Sequence, residues 1–219
     1  MPTPAVEDYL KAIYHLSRSG AAASTSMLAD RLGIAAGSVT GMLKRLAEQG
    51  LVEHTPYYGA RLTGHGEANA VRIIRRHRVL ELFLVQVLGY PWDRVHEEAE
   101  RLEHAVTEEL VDRMARVLGE PAVDPHGAVI PTAGGELHEP ALPSLLEVAL
   151  GQPSILRRVP DEDGDALRYL AQLDLVPGAR LVVLERAPFH GPVRLRVGDA
   201  ERVLGRELAA TVCVEPATA

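Results

Sequence analysis

The sequence predicts a mainly α fold with a small β part: a winged helix-turn-helix head, a helical middle and a small β-barrel at the end. Three observations carry this. Residues 24–50 hold two short helical patterns around Gly33 and run straight into a strand–turn–strand pattern. Residues 77–106 hold two amphipathic helical patterns split by the turn signal Gly89-Tyr90-Pro91. After Ser154 the chain becomes short runs of alternating apolar and polar residues punctuated by Gly and Pro.

Composition bounds the rest. A chain of 219 residues, 47% hydrophobic and 24% charged, is long enough for one or two globular domains. No apolar run is long enough to span a bilayer, and the first residues lack a basic-then-apolar signal, so a cytoplasmic protein with no membrane partner is expected. The single cysteine, Cys213, excludes an intramolecular disulfide framework and any CxxC metal clip, and reads as a buried strand thiol. The net charge of −7 is unevenly spread: residues 1–76 carry nine Lys/Arg against six Asp/Glu, and the remainder fourteen against twenty-four. A mildly basic front on an acidic body fits a DNA-contacting head on a cation-binding partner region.

Taken in order, PAVEDYLKAIYHLS at 4–17 places Val6, Leu10, Ile13, Tyr14 and Leu16 on one helical face. Asp8 lies outside that face, near the helix start, where a carboxylate suits the dipole. Ser24 or Thr25 can cap TSMLADRL; Gly33 breaks it, and a second helix resumes through Ser38. Val39, Leu43 and Leu46 face inward there, leaving Ser38, Thr40, Gly41 and Lys44 outward. Leu51–His54 and Pro56–Thr63 form the hairpin of a wing. Thr25, Ser38, Thr40 and Lys44, with Tyr57 and Arg61 of the wing, are the candidate DNA contacts: small hydroxyls and cations can approach phosphates and base edges closely. Thr63-Gly64 opens a long helix through Arg72, Arg75 and Arg76. A further helix, ELVDRMARVLGE, follows Thr107. Prolines from Pro121 to Pro153 mark a loop-rich stretch, with room for one or two helical turns in 142–150. Beyond it, about five strands surround one helix, ALRYLAQL, whose approach carries Asp161, Glu162, Asp163 and Asp165.

The chemistry concentrates in residues 77–104. His77 and Glu81 share a helical face, and His96, Glu100, Glu103 and His104, at i, i+4, i+7 and i+8, fall within roughly 100° of arc on a continuous helix. The opposite faces carry Val79, Leu80, Phe83 and Leu84, and Val95, Ala99, Leu102 and Val106, so the polar stripe is surplus to packing. Imidazoles and carboxylates gathered from two helices are the ligands of divalent first-row metals. Taken singly, each His/Glu pair is also compatible with a solvated helix face.

The residues then resemble a known family. EDYLKAIYHL, SVTGMLKRLAEQGLV, LTGHGEANA, RRHRVLELFL, VHEEAERLEH, PHGAVIP and LDLVPGARLVVLER together are similar to the diphtheria toxin repressor family of metal-dependent transcription regulators, manganese-responsive type, over nearly the whole chain. That resemblance implies a winged helix-turn-helix domain at 1–72, a helical metal-binding and dimerisation domain at 73–140, a linker at 141–153 and an SH3-like domain at 154–219. It implies a homodimer that binds palindromic double-stranded operator DNA when loaded with metal and represses metal-uptake genes, not an enzyme. It places one metal on His77, Glu81 and His96, with Asp163 of the SH3-like domain as the best-placed completing ligand, since Ala166 cannot ligate. It places another on Asp8, Glu100, Glu103 and His104. Iron-sensing relatives carry methionine and cysteine at the positions of Asp8 and Glu100. Two hard carboxylates here favour Mn²⁺, with Fe²⁺ as the alternative and Zn²⁺, Cd²⁺ or Co²⁺ as substitutes. Lys11 stands where manganese-specific two-domain relatives have an acid, which favours two separated sites over a close binuclear one. The mechanism expected is a metal bridging the first helix, through Asp8, to the long-helix body.

Two other classes are compatible with fewer residues. A di-metal enzyme would need a nucleophile or oxyanion donors that no second motif supplies. A winged-helix regulator with a non-metal effector would leave the His/Glu stripe as a solvated face.

Overall fold

The computed structural model describes residues 2–18, 20–55 and 57–217. Contacts divide the chain into two units: Met1–His77, Glu103–Glu108 and Pro131–Leu137 form the first, and Arg78–Leu102, Glu109–Ile130 and His138–Ala219 the second.

The first unit is a winged helix-turn-helix with added pieces. Helix α1 (Pro4–Ser17) starts on a proline, whose missing N–H costs nothing at that position, and buries Val6, Tyr9, Leu10 and Ile13. Helix α2 (Thr25–Leu32) is capped by Ser24, whose hydroxyl accepts the Met27 N–H, and ends on Gly33 in the left-handed region at φ 65°. Helix α3 (Ala36–Glu48) turns Val39, Leu43 and Leu46 into the core and leaves Ser38, Thr40 and Lys44 exposed. The wing is an antiparallel hairpin, β1 (Val52–Thr55) with β2 (Gly59–Leu62), registered Val52↔Leu62 to Thr55↔Gly59. Pro56, expected at its turn, lies outside the described residues. Leu10, Ile13, Leu28, Leu43, Leu46 and Ile73 make one continuous core.

Helix α4 (Gly64–Gln86) opens with the Thr63 hydroxyl accepting the Gly66 N–H at 3.1 Å. Helix α5 (Val95–Leu102) and helix α6 (Glu108–Val117) follow. The second helical pattern was expected to run to about Val106. It stops at Leu102, and Glu103 and His104 sit in the turn beyond, with side chains held by α1 residues instead of continuing a helical stripe.

The C-terminal part of the second unit is SH3-like. It contains β3 (Pro153–Arg158), α7 (Gly164–Gln172), β4 (Arg180–Arg186), β5 (Val193–Val197), β6 (Ala200–Leu204), α8 (Arg206–Thr211) and β7 (Cys213–Pro216). The strands pair antiparallel in the order β6-β5-β4-β3-β7. Five strands match the number expected. Among the described residues β6 and β7 do not pair with each other, so the hydrogen-bonded order is an open sheet. Its buried face (Leu156, Val183, Leu195, Val214) packs on Leu167 and Leu170 of α7. Residues 142–150 make one hydrogen-bonded turn (Val148 N–H to Ser144 carbonyl, 3.1 Å), not a helix. Pro143 removes a donor there, and the Glu147 carboxylate takes the Ser144 N–H. No helix among the described residues is long and apolar enough to cross a membrane.

Candidate metal centre

Two groups of donors assemble, one within each unit. In the first unit, Asp8 on α1 meets Glu103 and His104 of the turn after α5, with one ligand atom of each within 4.8 Å of the others. Their contacts define the group. His104 Nε2 is 3.0 Å from Asp8 Oδ1 and 3.8 Å from Glu103 Oε1. On the other side of the ring, Nδ1 hydrogen-bonds Glu7 Oε2 at 2.7 Å, and Glu7 Oε1 is held by Arg76 at 2.6 Å. Glu7 is buried, so this pair is a fixed wall of the site. An imidazole that donates Nδ1–H to a carboxylate presents Nε2 as its ligand atom, the arrangement that sets ring orientation in metal sites.

Glu103 is wholly buried, and both its oxygens are engaged: Oε1 by Lys11 Nζ and Oε2 by His77 Nδ1, each at 2.6 Å. Burial alone would push its carboxyl up. The hydrogen bonds and charges of His77 and Lys11 outweigh that and hold it below the usual carboxylate range.

The second unit gathers Glu81, Asp124, His126 and Asp161 to the same closeness. Asp124 and His126 come from a loop that the backbone locks. Asp124 Oδ1 accepts the His126 and Ala128 N–H groups, each at 2.9 Å, which turns Oδ2 inward, buried and without a hydrogen bond. Gly127 has φ 89°, and a Cβ there would come within 1.7 Å of the Arg157 carbonyl oxygen, so only glycine fits. His126 donates Nε2–H to the Trp92 carbonyl at 2.8 Å and stacks on the Trp92 ring, leaving Nδ1 buried, without a hydrogen bond, 3.7 Å from Glu81 Oε2. Glu81 Oε1 takes His96 Nδ1 at 3.1 Å.

Burial and then the Glu81 charge push the Asp124 carboxyl up to about 6. Burial disfavours the His126 imidazolium, yet the nearby Glu81 carboxylate, Asp124 and the Trp92 carbonyl raise it to about 9. An unsatisfied buried polar atom costs about 1–3 kcal/mol, and two like charges near 4 Å cost about 4 kcal/mol at an effective dielectric of 20. Asp124 Oδ2, which Arg78 Nε approaches at 3.8 Å without a hydrogen bond, and His126 Nδ1, 3.7 Å from Glu81 Oε2, lie in one carboxylate-lined group that can hold a divalent cation. The donors fit such an ion: three carboxylates and one imidazole, with no sulfur.

Several expected residues sit elsewhere. Asp163 was expected to complete a metal site; its Oδ1 instead caps α7, accepting the Asp165 and Ala166 N–H groups, and Asp161 is the SH3-like domain's residue in the group. Glu81 and His96 are neighbours as expected, and His77 Nδ1 hydrogen-bonds Glu103 within the first unit. Glu100, expected with Asp8, belongs to the second unit, 3.7 Å from His96 Nε2. Sequence reasoning missed Glu7, Asp124 and His126, and named Asp161 without a metal role. The signal for the loop was the PHG run inside an otherwise featureless proline-rich stretch.

Among candidate DNA contacts, Ser38, Thr40, Lys44, Tyr57 and Arg61 are exposed and Thr25 half-buried. The Thr40 hydroxyl donates to the Ala36 carbonyl at 3.2 Å, and Arg61 donates to the Gly20 carbonyl.

Comparison with known proteins agrees with this architecture along the chain. The N-terminal DNA binding domain of iron dependent repressors matches residues 1–60, their metal binding and dimerisation domain residues 63–132, and a FeoA domain residues 144–216. The iron-dependent repressor IdeR of Mycobacterium tuberculosis is 33% identical over 221 residues, covering 95% of this chain and 96% of that one. The diphtheria toxin repressor of Corynebacterium jeikeium is 34% identical over 125 residues, 57% of this chain and 52% of that one. A solved manganese-dependent transcriptional repressor in complex with manganese superposes with a TM-score of 0.91 at 39% identity, covering 97% of this chain and 100% of that one. The chain belongs to the diphtheria toxin repressor family and is a metal-dependent transcriptional repressor, not an enzyme.

Proposed function

We propose that this repressor answers Mn²⁺, binds palindromic operator DNA as a homodimer when loaded, and controls metal-uptake genes. The observation that carries the metal reading is the pair of buried atoms without hydrogen bonds, Asp124 Oδ2 and His126 Nδ1, within a donor group otherwise made of carboxylates. Asp8, Glu103 and His104 would hold one ion; Glu81, Asp124, His126 and Asp161 would hold another. The parts of Glu100 in the first set, and of His77 and His96 beside Glu81, rest on sequence spacing and family resemblance. When bound, a divalent cation would take over the charge balance that Lys11 and Arg78 give to Glu103 and Asp124.

The residues do the remainder. Glu7 orients His104, and Arg76 fixes Glu7, so Asp8 on α1 is matched to the turn that carries Glu103 and His104. Because α1 packs in the same core as α2 and α3, pinning α1 constrains the DNA-reading helix. Exposed Ser38, Thr40 and Lys44 on α3, with Tyr57 at the wing tip, suit phosphate and groove contacts. The homodimer is supported by the match of residues 63–132 to a metal binding and dimerisation domain. The all-oxygen-and-nitrogen donor chemistry favours Mn²⁺ over softer ions; Fe²⁺ is the second reading, favoured by the iron-dependent relative's name. Zn²⁺, Cd²⁺ and Co²⁺ would substitute in vitro, and the protein would act in the cytoplasm.

The test is binding of chelator-stripped protein to promoter fragments of its own genome, titrated separately with Mn²⁺, Fe²⁺ and Zn²⁺ at fixed salt. Mn²⁺-dependent binding at micromolar metal is expected. Equal binding with and without every metal would remove the switch.

A further inference from the structure

We infer that Lys11 is a tethered cation that competes with the metal for Glu103 and so sets the metal concentration at which the first donor set fills. The inference rests on that set being a metal site. Lys11 follows Asp8 by one helical turn on α1, so its ammonium reaches the space that Asp8 faces. It takes Glu103 Oε1 at 2.6 Å, and Oε1 is the oxygen that lies 3.8 Å from His104 Nε2. The opposite oxygen is bound to His77. An ion shared by Asp8, His104 and Glu103 must therefore take Oε1 from Lys11.

The ammonium is poised for that exchange. Glu103 is fully buried, whereas the Lys11 side chain that holds it is 14% exposed. Its long stem lets the charged end leave for solvent while the methylenes stay packed. In the metal-free protein Lys11 thus supplies the charge that a divalent ion supplies in the loaded one, and each cation excludes the other from Oε1. The lysine makes the site well ordered when empty and harder to fill.

This predicts the opposite sign from a merely structural salt bridge. Replacing a structural lysine loosens the site and weakens metal binding; replacing a competitor strengthens it. The experiment measures Mn²⁺ affinity and stoichiometry of the full chain by competition with a fluorescent chelator, and thermal unfolding with and without Mn²⁺. It compares wild type, Lys11→Met and Lys11→Gln, the last being neutral but able to hydrogen-bond Glu103 should the methionine variant fold poorly. Losing a charge-assisted hydrogen bond competitor should tighten the first-set binding step by about tenfold or more. Stoichiometry should stay unchanged, and Tm should fall only in the metal-free protein. Folded variants that bind Mn²⁺ as wild type does, or more weakly, overturn the role of Lys11 while leaving the metal site standing. A wild-type protein that binds no Mn²⁺ overturns the metal site itself.

Discussion

Glu7 and His104, 97 residues apart, are joined by a 2.7 Å hydrogen bond from the imidazole Nδ1 to a carboxylate that Arg76 holds from its other oxygen. The bond turns Nε2 toward Asp8 and ties α1 to the turn beyond α5. Glu7 is thus a positioning residue for a candidate ligand.

Glu7→Gln keeps the shape and removes the charge. First-set Mn²⁺ affinity should fall about 10–100-fold, the usual cost of losing an outer partner of a ligating histidine. Stability should fall by about 1–3 kcal/mol, because Arg76 then keeps only the more exposed Glu108 at 3.4 Å. Metal titration and urea denaturation check the two effects separately.

Metal uptake by the second set should depend on pH in a stated direction. His126 sits at about 9 and Asp124 at about 6, so the metal-free group holds a proton on His126 at neutral pH. Filling the set must release it, and affinity should rise from pH 6 to pH 9. Mn²⁺ added to weakly buffered protein at pH 7.5 should liberate a proton, and His126→Ala should abolish that release. The stability sign for His126 follows from its raised value. Its contribution to the metal-free fold is complete below about 6.5 and is lost as pH climbs through about 9. Asp124 acts in the same sense at lower pH: its raised value makes the fold favour the neutral acid, so that contribution is lost as pH climbs from 3.8 through about 6. Thermal unfolding of stripped wild type against His126→Ala, from pH 7 to pH 9.5, isolates the histidine.

Two nearby acids should separate cleanly. Asp161→Ala removes a member of the second donor set and should weaken that binding step with little change in Tm. Asp163→Ala removes the cap of α7 and should cost about 0.5–2 kcal/mol while leaving metal affinity intact. The reverse pattern in a paired titration and melt would return Asp163 to the site.

Gly127→Ala should act as a loop-breaking change that removes no ligand atom itself but displaces the neighbouring His126. Its positive φ and the Arg157 carbonyl oxygen at 1.7 Å from an added Cβ both oppose it. The Asp124–His126 loop should shift, and Mn²⁺ stoichiometry should fall by one ion per chain while the first set still fills. Equilibrium dialysis reads the count directly.

The head was readable because its signals are local. Ser24 caps, Gly33 stops and the apolar period of α3 is short-range information, and each forms as written. The donors Glu81 and His96 were readable because helical spacing marks a polar stripe. Asp124 and His126 were not, because a loop has no period and their partner Glu81 lies more than forty residues earlier. Asp163 misled because one carboxylate can cap a helix or bind a metal, and the α7 N–H groups claimed it. The end of α5 misled for a related reason: Glu103 and His104 keep helical spacing in sequence but find their partners on α1, at a range no window reaches.

The chain's one thiol, Cys213, belongs to β7 and to neither donor group. Peroxide attacks a metal-binding thiolate and carries it to sulfenic and higher acids, erasing a ligand. Carboxylate oxygens and imidazole nitrogens offer no such first step. A repressor that sensed metal through these donor groups would present no sulfur ligand for peroxide to oxidise.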